Sequence, residues 1–321
     1  MLNLPKKVKV VDVAARDGLQ SFGRWVDTEV KIAMVDRLSE VGFPVIEVTA
    51  FAHPRAVPTL QDAELVMAGI RRRPGTVYRA LVPNARGAER AVKSEAPPDQ
   101  ILGLIVASDT YLAKNQNMST EQAVQEAIAA FRIASAAGLS FVMAIAGAFW
   151  DMYDGLTSQS KVMGLVGRFH DAGIRSLYLA GSLGMEDPVH VNQLFTAVKT
   201  EWPDLELGFH VHNMAGLATA NILAALDGGA SFLEGAICGI GGGIALPGSV
   251  RSTGNLSSED IVYLLNQSGI DTGIDLEEVI AASRDIARLL NIEPVGHVAH
   301  CGSRSELMQT AAAGKGRAEV C

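Results

Sequence analysis

Two histidines lie two residues apart at the end of an apolar run, in the segment Phe-His-Val-His-Asn. If this run is a β-strand, His210 and His212 point to the same face, because successive residues of a strand alternate between faces. Two neighbouring imidazoles suit a divalent metal, and an oxygen ligand such as Asp17 would complete much of the coordination shell. The alternative is a pair of hydrogen-bonded polar residues that ends the strand.

Two further charged residues fall in unusual places. Arg16 directly precedes Asp17, and Glu47 interrupts the apolar segment Val-Ile-Glu-Val-Thr-Ala-Phe. Beside a metal, an arginine stabilises developing negative charge, whereas a surface ion pair with Asp17 would contribute at most ~1 kcal/mol. An unpaired carboxylate in an apolar strand is costly, so Glu47 requires a partner or a task. For Glu47, an ion pair with Arg16 and a catalytic role are both possible interpretations.

The elements that must position these residues are eight short apolar runs separated by amphipathic segments. The runs are rich in Val, Ile and Leu, as expected of strands buried on both faces. Eight alternations in about 265 residues predict an α/β fold, a single (β/α)₈ TIM barrel with its active site at the carboxyl ends of the strands. A doubly wound sheet would also alternate, but eight units without a break in composition favour closure. The runs are VKVVDVAA, VIEVTAF, VYRALVP, ILGLIVAS, FVMAIAGA, SLYLAGS, LELGFHVH and FLEGAICGI.

Helix signals lie between the runs. Asp27 and Gly42 bracket the first amphipathic segment as N-cap and terminator, and Ser119 and Gln122 have capping-box spacing. We expect the barrel to occupy residues 1–270. Residues 271–321 should form an added helix and a flexible tail packed on the barrel, with the frayed tail from Thr310 onward.

Composition excludes several classes of protein. The chain has 321 residues, a net charge of −8 and no long block of like charge, which argues against binding to nucleic acid or a membrane surface. No secretory signal or membrane-spanning run is evident. The three cysteines, Cys238, Cys301 and Cys321, have no metal or redox spacing. A cytoplasmic protein is the expectation.

A glycine-rich stretch, Ala236–Ser249, follows the eighth run, and Asn255 follows it. It lacks the Lys-Ser/Thr pair of a P-loop, so a phosphate cradle is only weakly indicated. Together with Ala15–Gln20, Val45–Phe51, Ser108–Ser119, Phe209–Asn213 and Gly254–Asp260, it resembles the 3-hydroxy-3-methylglutaryl-CoA lyases over about residues 5 to 295. These belong to the metal-dependent TIM-barrel lyases and synthases, and Arg-Asp-Gly-Leu-Gln favours the lyase branch.

The resemblance implies a role for each matching residue. Arg16 would face the acyl carbonyl and the enolate, Glu47 would be an acidic catalytic residue, and His210 would be the base. Gln20 would neighbour the substrate, and Arg24 is the nearest candidate for the family's basic residue at coenzyme A. The implied reaction is retro-Claisen cleavage of a 3-hydroxyacyl-CoA thioester by a homo-oligomer, a dimer or tetramer. Mg²⁺ or Mn²⁺, or alternatively Zn²⁺, would be held by Asp17, His210, His212 and Asn255.

Two departures from the family pattern bear on function. Gly181 stands where the lyases carry a catalytic aspartate after the sixth strand, and Gly243 stands where they carry a loop cysteine. Cys238 lies five residues before that position. We therefore expect enolate chemistry on another substrate or with another acid. An aldolase or Claisen-type synthase on a 2-oxo acid, and a non-catalytic barrel that binds metal and acyl-CoA, are the alternatives.

Overall fold

A closed barrel of eight parallel strands forms the centre of the molecule. The computed structural model describes residues 2–242 and 254–313, so Gly243 lies outside the described residues. Each barrel strand pairs with the next along the chain, and the eighth pairs with the first. All eight apolar runs are strands, and the predicted (β/α)₈ barrel is confirmed. The strands are β1 Lys9–Asp12, β2 Val45–Ala50, β3 Val77–Val82, β4 Gln100–Val106, β5 Ser140–Ala146, β6 Ser176–Gly181, β7 Glu206–Val211 and β8 Phe232–Gly235.

One helix follows each strand. Short helical segments and a small hairpin of Trp150–Asp151 with Gly155–Leu156 lie in the loops at the carboxyl ends of the strands. The barrel helices are α1 Thr28–Val41, α2 Ala63–Gly69, α3 Ala85–Val92, α4 Thr120–Ala136, α5 Gln159–Asp171, α6 Pro188–Glu201, α7 Ala218–Asp227 and α8 Ser258–Gln267. Three more follow: α9 Leu276–Leu290, α10 His297–Cys301 and α11 Arg304–Ala312.

The helix boundaries follow local sequence signals. Ser119 and Gln122 form both bonds of a capping box at the start of α4. Gly42 ends α1 with a φ of 88°, a left-handed conformation that glycine adopts without strain. Asp27 stands at the N-cap of α1, but its carboxylate accepts a hydrogen bond from Trp25 Nε1 and makes no capping bond.

The expectation of a frayed tail from Thr310 onward was wrong for Thr310–Ala312, which belong to α11. This helix forms because Ser303 caps its first turn and Glu306 pairs with Arg284 of α9, at 2.9 Å between Oε1 and Nη1. Residues 314–321 lie outside the described part of the chain. Over the described ranges, no helix is long and apolar enough to cross a membrane.

Candidate metal centre and active site

A wide turn after β1 presents Arg16 and Asp17. The backbone N–H groups of Arg16, Asp17 and Gly18 all bond to the carbonyl of Val13, at 3.2, 2.7 and 3.3 Å. This closes a single π-helical turn, Ala14–Gly18, and π-type turns often occur at functional sites. Both charged residues are buried, with 5% and 4% of their surface exposed. The sequence therefore places two opposite charges side by side at the carboxyl end of β1.

The two histidines meet Asp17, as the spacing predicted. His210 lies on β7 and His212 just past its end, with their Nε2 atoms 3.0 Å apart. Asp17 Oδ2 is 3.7 Å from His212 Nε2. One ligand atom from each of the three residues lies within 4.8 Å of the others, and all three side chains are buried. This group could hold a metal ion.

Asn255 completes what we call the metal cluster: Asp17, His210, His212 and Asn255. It forms a β-bridge with His212, and its Nδ2 donates to Asp17 Oδ2 at 2.8 Å and to the Ile240 carbonyl at 3.0 Å. Its Oδ1 is buried and has no hydrogen-bond partner among the described residues. A buried, unpaired amide oxygen is costly, and it is a suitable ligand for a hard cation. The cluster therefore fits a divalent metal.

Electrostatics keep Asp17 and His212 in the forms that bind a cation. Burial alone would raise the pKa of Asp17, but Arg16, His210 and His212 hold it well below its usual range. Burial and the neighbouring His210 lower the pKa of His212 to about 4, so this imidazole is neutral at pH 7. Anionic carboxylate and neutral imidazole are the forms that bind metal.

Glu47 is paired with arginine, as one of its two interpretations predicted. The guanidinium of Arg16 donates to Asp17 Oδ1 at 2.8 Å through Nη1 and to Glu47 Oε1 through Nε. Arg79 Nη1 lies 3.6 Å from the other oxygen of Glu47. Burial raises the pKa of Glu47 despite these cations. Its catalytic role stays a prediction.

The sequence reasoning missed two members of the site, Arg79 and Glu234. Arg79 donates to Glu234 Oε1, and Glu234 Oε2 lies 3.2 Å from Nδ1 of His210. Both interrupt apolar strand segments, as Glu47 does, so the same argument could have found them. They complete an alternating series of charges, which we call the ion-pair chain: Asp17, Arg16, Glu47, Arg79, Glu234 and His210.

A cavity of about 240 Å³ opens beside the metal cluster. Gln20 lines it together with Arg16, Asp17, His210 and His212. Its remaining wall is mostly apolar and includes Ala50, Val57, Leu81, Pro83, Leu104, Val106, Ala146 and Ala180. Arg24 does not line this cavity: its exposed guanidinium donates to the carbonyl of Leu290.

Cys238 lies away from the cavity, beside α9. Its side chain is fully buried, its Sγ is 3.2 Å from the carbonyl of Ser283, and burial raises the pKa of the thiol. A thiolate is therefore disfavoured there. His297 pairs with Asp260 at 3.1 Å and Cys301 contacts the Gly302 carbonyl, and among the described residues neither belongs to a metal-ligand group of three.

Comparison with known proteins assigns the chain to a family. Residues 7–286 match the HMGL-like family. The mitochondrial hydroxymethylglutaryl-CoA lyase of Mus musculus is 37% identical over 299 residues, which cover 93% of this chain and 90% of the relative. An HMG-CoA lyase of Acinetobacter baumannii, solved with coenzyme A and 3-methylmalate, has a TM-score of 0.87 at 33% identity and covers 94% of this chain and 97% of its own. The hydroxymethylglutaryl-CoA lyase of Pseudomonas aeruginosa has a TM-score of 0.85 at 32% identity, and the match covers 97% of this chain and 100% of that structure. The chain belongs to the HMGL-like family.

Proposed function

We propose that this protein is a divalent-metal-dependent carbon–carbon lyase that cleaves a 3-hydroxyacyl-CoA thioester by retro-Claisen chemistry. The observation that carries the proposal is the buried metal cluster, with the unpaired Oδ1 of Asn255, directly beside Arg16 in a cavity. The relatives named above are lyases of this class and are similar over nine-tenths of the chain.

Asp17, His210, His212 and Asn255 would hold the cation, which when bound makes a substrate hydroxyl more acidic. Carboxylate and amide oxygens favour Mg²⁺ or Mn²⁺, whereas the two imidazoles are equally suited to Zn²⁺. The proposed ligand set does not depend on which of these ions binds.

His210 is the proposed base. Glu234 lies against its Nδ1, and this carboxylate together with Asp17 raises the pKa of His210 although burial opposes it. A carboxylate on one ring nitrogen stabilises the imidazolium that forms when the other nitrogen takes a proton. Because Nδ1 faces Glu234, Nε2 of His210 can hold either the cation or a proton. In the base role His210 would accept the proton of the 3-hydroxyl at Nε2, and Asp17, His212 and Asn255 would keep the cation.

Arg16 is the proposed stabiliser of the enolate that departs when the carbon–carbon bond breaks. Its guanidinium stays protonated, because Glu47 and Asp17 raise its pKa further despite complete burial. The same two carboxylates fix its position through Nε and Nη1. A preorganised cation at a developing oxyanion needs no reorganisation during the reaction.

The substrate side of the proposal rests on the cavity and on the relatives. The apolar wall suits a substrate whose carbon 3 carries an apolar substituent, and Gln20 lies at the same cavity. The coenzyme A in the Acinetobacter structure supports a thioester, and Arg24 remains the candidate contact for its phosphates. A cytoplasmic location and a homo-oligomer stay predictions. Light scattering would test the second by measuring the molar mass in solution.

The test uses protein stripped of metal and reloaded with Mg²⁺, Mn²⁺ or Zn²⁺. We expect release of acetyl-CoA from at least one member of a panel of 3-hydroxyacyl-CoA thioesters with methyl and longer alkyl groups at carbon 3. The activity should disappear in Asp17→Ala. Release of pyruvate from 4-hydroxy-2-oxo acids without a thioester would instead identify an aldolase, and no turnover of either panel would contradict the proposal.

A further inference from the structure

Glu186 is a buried carboxyl outside the ion-pair chain. It lies in the loop between β6 and α6, two residues before the helix begins, and only 4% of its surface is exposed. Its Oε1 has no hydrogen-bond partner within the described ranges. An unpaired acidic side chain at this depth is expensive in free energy, so it calls for a function or a strong structural reason.

The carboxyl of Glu186 fills the space that a side chain at Gly181 would occupy. A Cβ built on Gly181 would overlap both Oε1 and Cδ of Glu186 and would lie 2.8 Å from Oε2. Glu186 can reach this place only because residue 181 is a glycine. The family resemblance predicts an aspartate at position 181. The carboxyl of Glu186, five residues further along the chain, lies in the space that this side chain would occupy.

The loop is built to turn this carboxyl back onto β6. The N–H of Gly184 bonds to the carbonyl of Gly181 at 3.0 Å, and Gly184 has a φ of 62°, which closes a tight turn. Asn221 of α7 donates to the backbone carbonyl of Glu186 at 3.0 Å. Asp187, the next residue, caps α6. The backbone on both sides of Glu186 is therefore fixed.

The carboxyl lies next to residues of the active site. Ala180 and Ser182, the neighbours of Gly181, both line the cavity, and Ala180 pairs in register with His210. Among the described residues, His210 is a titratable group whose charge lowers the pKa of Glu186, and Asn221 is a polar neighbour. Burial raises the pKa of Glu186 to about 7, so part of the population carries a proton at neutral pH.

We infer that Glu186 is the proton-holding carboxyl at the end of β6, a positioning residue that acts through His210 in place of the aspartate absent at Gly181. This inference rests on the proposed function. The proton that His210 takes from the hydroxyl balances the one that the enolate carbon gains, and Glu186 exchanges a proton with the site without being consumed. It acts through its neighbours, because it does not itself line the cavity.

Steady-state kinetics of Glu186→Gln test this role. We expect kcat to fall about 100-fold, the lower end for a positioned acid–base group, with KM changed less than about threefold. We expect the wild-type kcat to decline at rising pH as Glu186 loses its proton, and this decline should disappear in the variant. The control, Glu201→Gln, changes an exposed glutamate at the end of α6 and should leave kcat and its pH profile unchanged. An unaltered kcat and profile in Glu186→Gln would overturn the inference.

A relocation variant separates a functional role from a structural one. Gly181→Asp alone should lower activity and the thermal unfolding midpoint, because two carboxyls compete for one space. Adding Glu186→Gly should restore both, with kcat at least about tenfold above that of Glu186→Gln. If the double variant recovers the unfolding midpoint but no activity, Glu186 has only a packing role.

Infrared difference spectra between wild type and Glu186→Gln distinguish failure of this inference from failure of the proposed function, since they need no substrate. In metal-free protein, the protonated carboxyl band of Glu186 should disappear as the pH passes through about 7. If no thioester is cleaved but this band is seen, the lyase proposal fails and the proton-holding carboxyl stands. A carboxylate that is ionised throughout would overturn the inference in either case.

Discussion

Two groups of buried acidic residues start at or just after the end of β1, one at Asp12 and one at Asp17. They differ in the side chains that pair with their carboxylates. The ion-pair chain starts at Asp17 and alternates carboxylates with Arg16 and Arg79. The second group, which we call the seam cluster, joins β1 and the end of β8 to α8 and α9. It consists of Asp12, Cys238, Ser258, Glu259 and Ser283.

The seam cluster uses neutral donors. Asp12 accepts from the N–H groups of Ala14 and Ile237 at 2.9 and 2.7 Å and from Ser258 Oγ at 2.7 Å. Glu259 accepts from Ser283 Oγ at 2.7 Å and from the N–H of Cys238 at 3.2 Å. Burial raises the pKa of Asp12 to about 6 and that of Glu259 to about 8.

The difference shows what keeps a buried carboxylate ionised. Arg16 and the two histidines keep Asp17 ionised beside a cavity, where it can hold a cation. Burial raises the pKa of Glu259 more than its hydroxyl and amide donors lower it. Glu259 therefore stays largely protonated at pH 7, where it links the end of β8 to α9. Substitutions in the ion-pair chain should therefore change metal binding and turnover, and substitutions in the seam cluster should change stability.

The largest effect is expected from Asp17→Ala. It removes the anionic ligand of the metal cluster and leaves Arg16 with Glu47 as its remaining ion-pair partner. We expect Mn²⁺ affinity measured by calorimetry to fall more than about 100-fold, beyond the loss typical of an outer-shell substitution. Glu259→Gln should bind Mn²⁺ like the wild type. Equal losses in the two variants would remove the distinction between the clusters.

Arg16→Ala should separate turnover from metal binding. Loss of the preorganised cation should lower kcat by about 10²–10³-fold, while Mn²⁺ still binds through the intact metal cluster. Arg16→Lys should recover little, because one ammonium group cannot reproduce the separate Nε and Nη1 contacts to Glu47 and Asp17. Initial rates at saturating thioester measure this, and a fully active lysine variant would contradict the role assigned to the two contacts.

Glu234→Gln should weaken metal binding less than Asp17→Ala does, by about 10- to 100-fold. Glu234 contacts Nδ1 of His210 and would not itself bind the metal. The pKa of His210 should fall with loss of the carboxylate that raises it. Histidine NMR resonances of the metal-free protein measure that change. If the pKa of His210 does not change in the variant, Glu234 stabilises only Arg79.

Glu259→Gln should alter how stability depends on pH. The folded protein keeps this proton up to about pH 8, whereas the unfolded chain loses it near the ordinary glutamate pKa of 4.5. The folded state binds more protons between these values, so this residue makes the free energy of unfolding decrease as the pH rises, by up to about 1.4 kcal/mol per pH unit. Glu259→Gln should flatten that decline in urea melts from pH 5 to 8. Glu201→Gln, exposed on α6, is the matched control, and identical slopes in all three proteins would refute the assignment.

The smallest effect on turnover is expected from Cys238→Ala. This thiol belongs to the seam cluster and is fully buried, so it cannot replace the family's loop cysteine. We expect kcat within about twofold of wild type and no labelling of native Cys238 by iodoacetamide. Loss of turnover without loss of the fold would place Cys238 in the reaction.

The sequence predicts the barrel and part of the site because both depend on local pattern. Apolar runs mark all eight strands, and the spacing of His210 and His212 brings them together at the end of β7. Arg79 and Glu234 were overlooked although they interrupt strands in the same way as Glu47. Glu186 could not be found from the sequence alone, since its position over Gly181 depends on the path of a turn. Likewise, α11 depends on the pairing of Arg284 with Glu306 across two elements.

The central claim, that the metal cluster binds a divalent ion through histidine nitrogen, is tested most directly by pulsed electron paramagnetic resonance of Mn²⁺-loaded protein. We predict a single tightly bound Mn²⁺ per chain whose spin-echo modulation shows coupling to ¹⁴N of coordinated imidazole. The coupling should weaken in His212→Ala and persist in Glu259→Gln. A tightly bound ion without nitrogen coupling, or no tightly bound ion, would contradict the account.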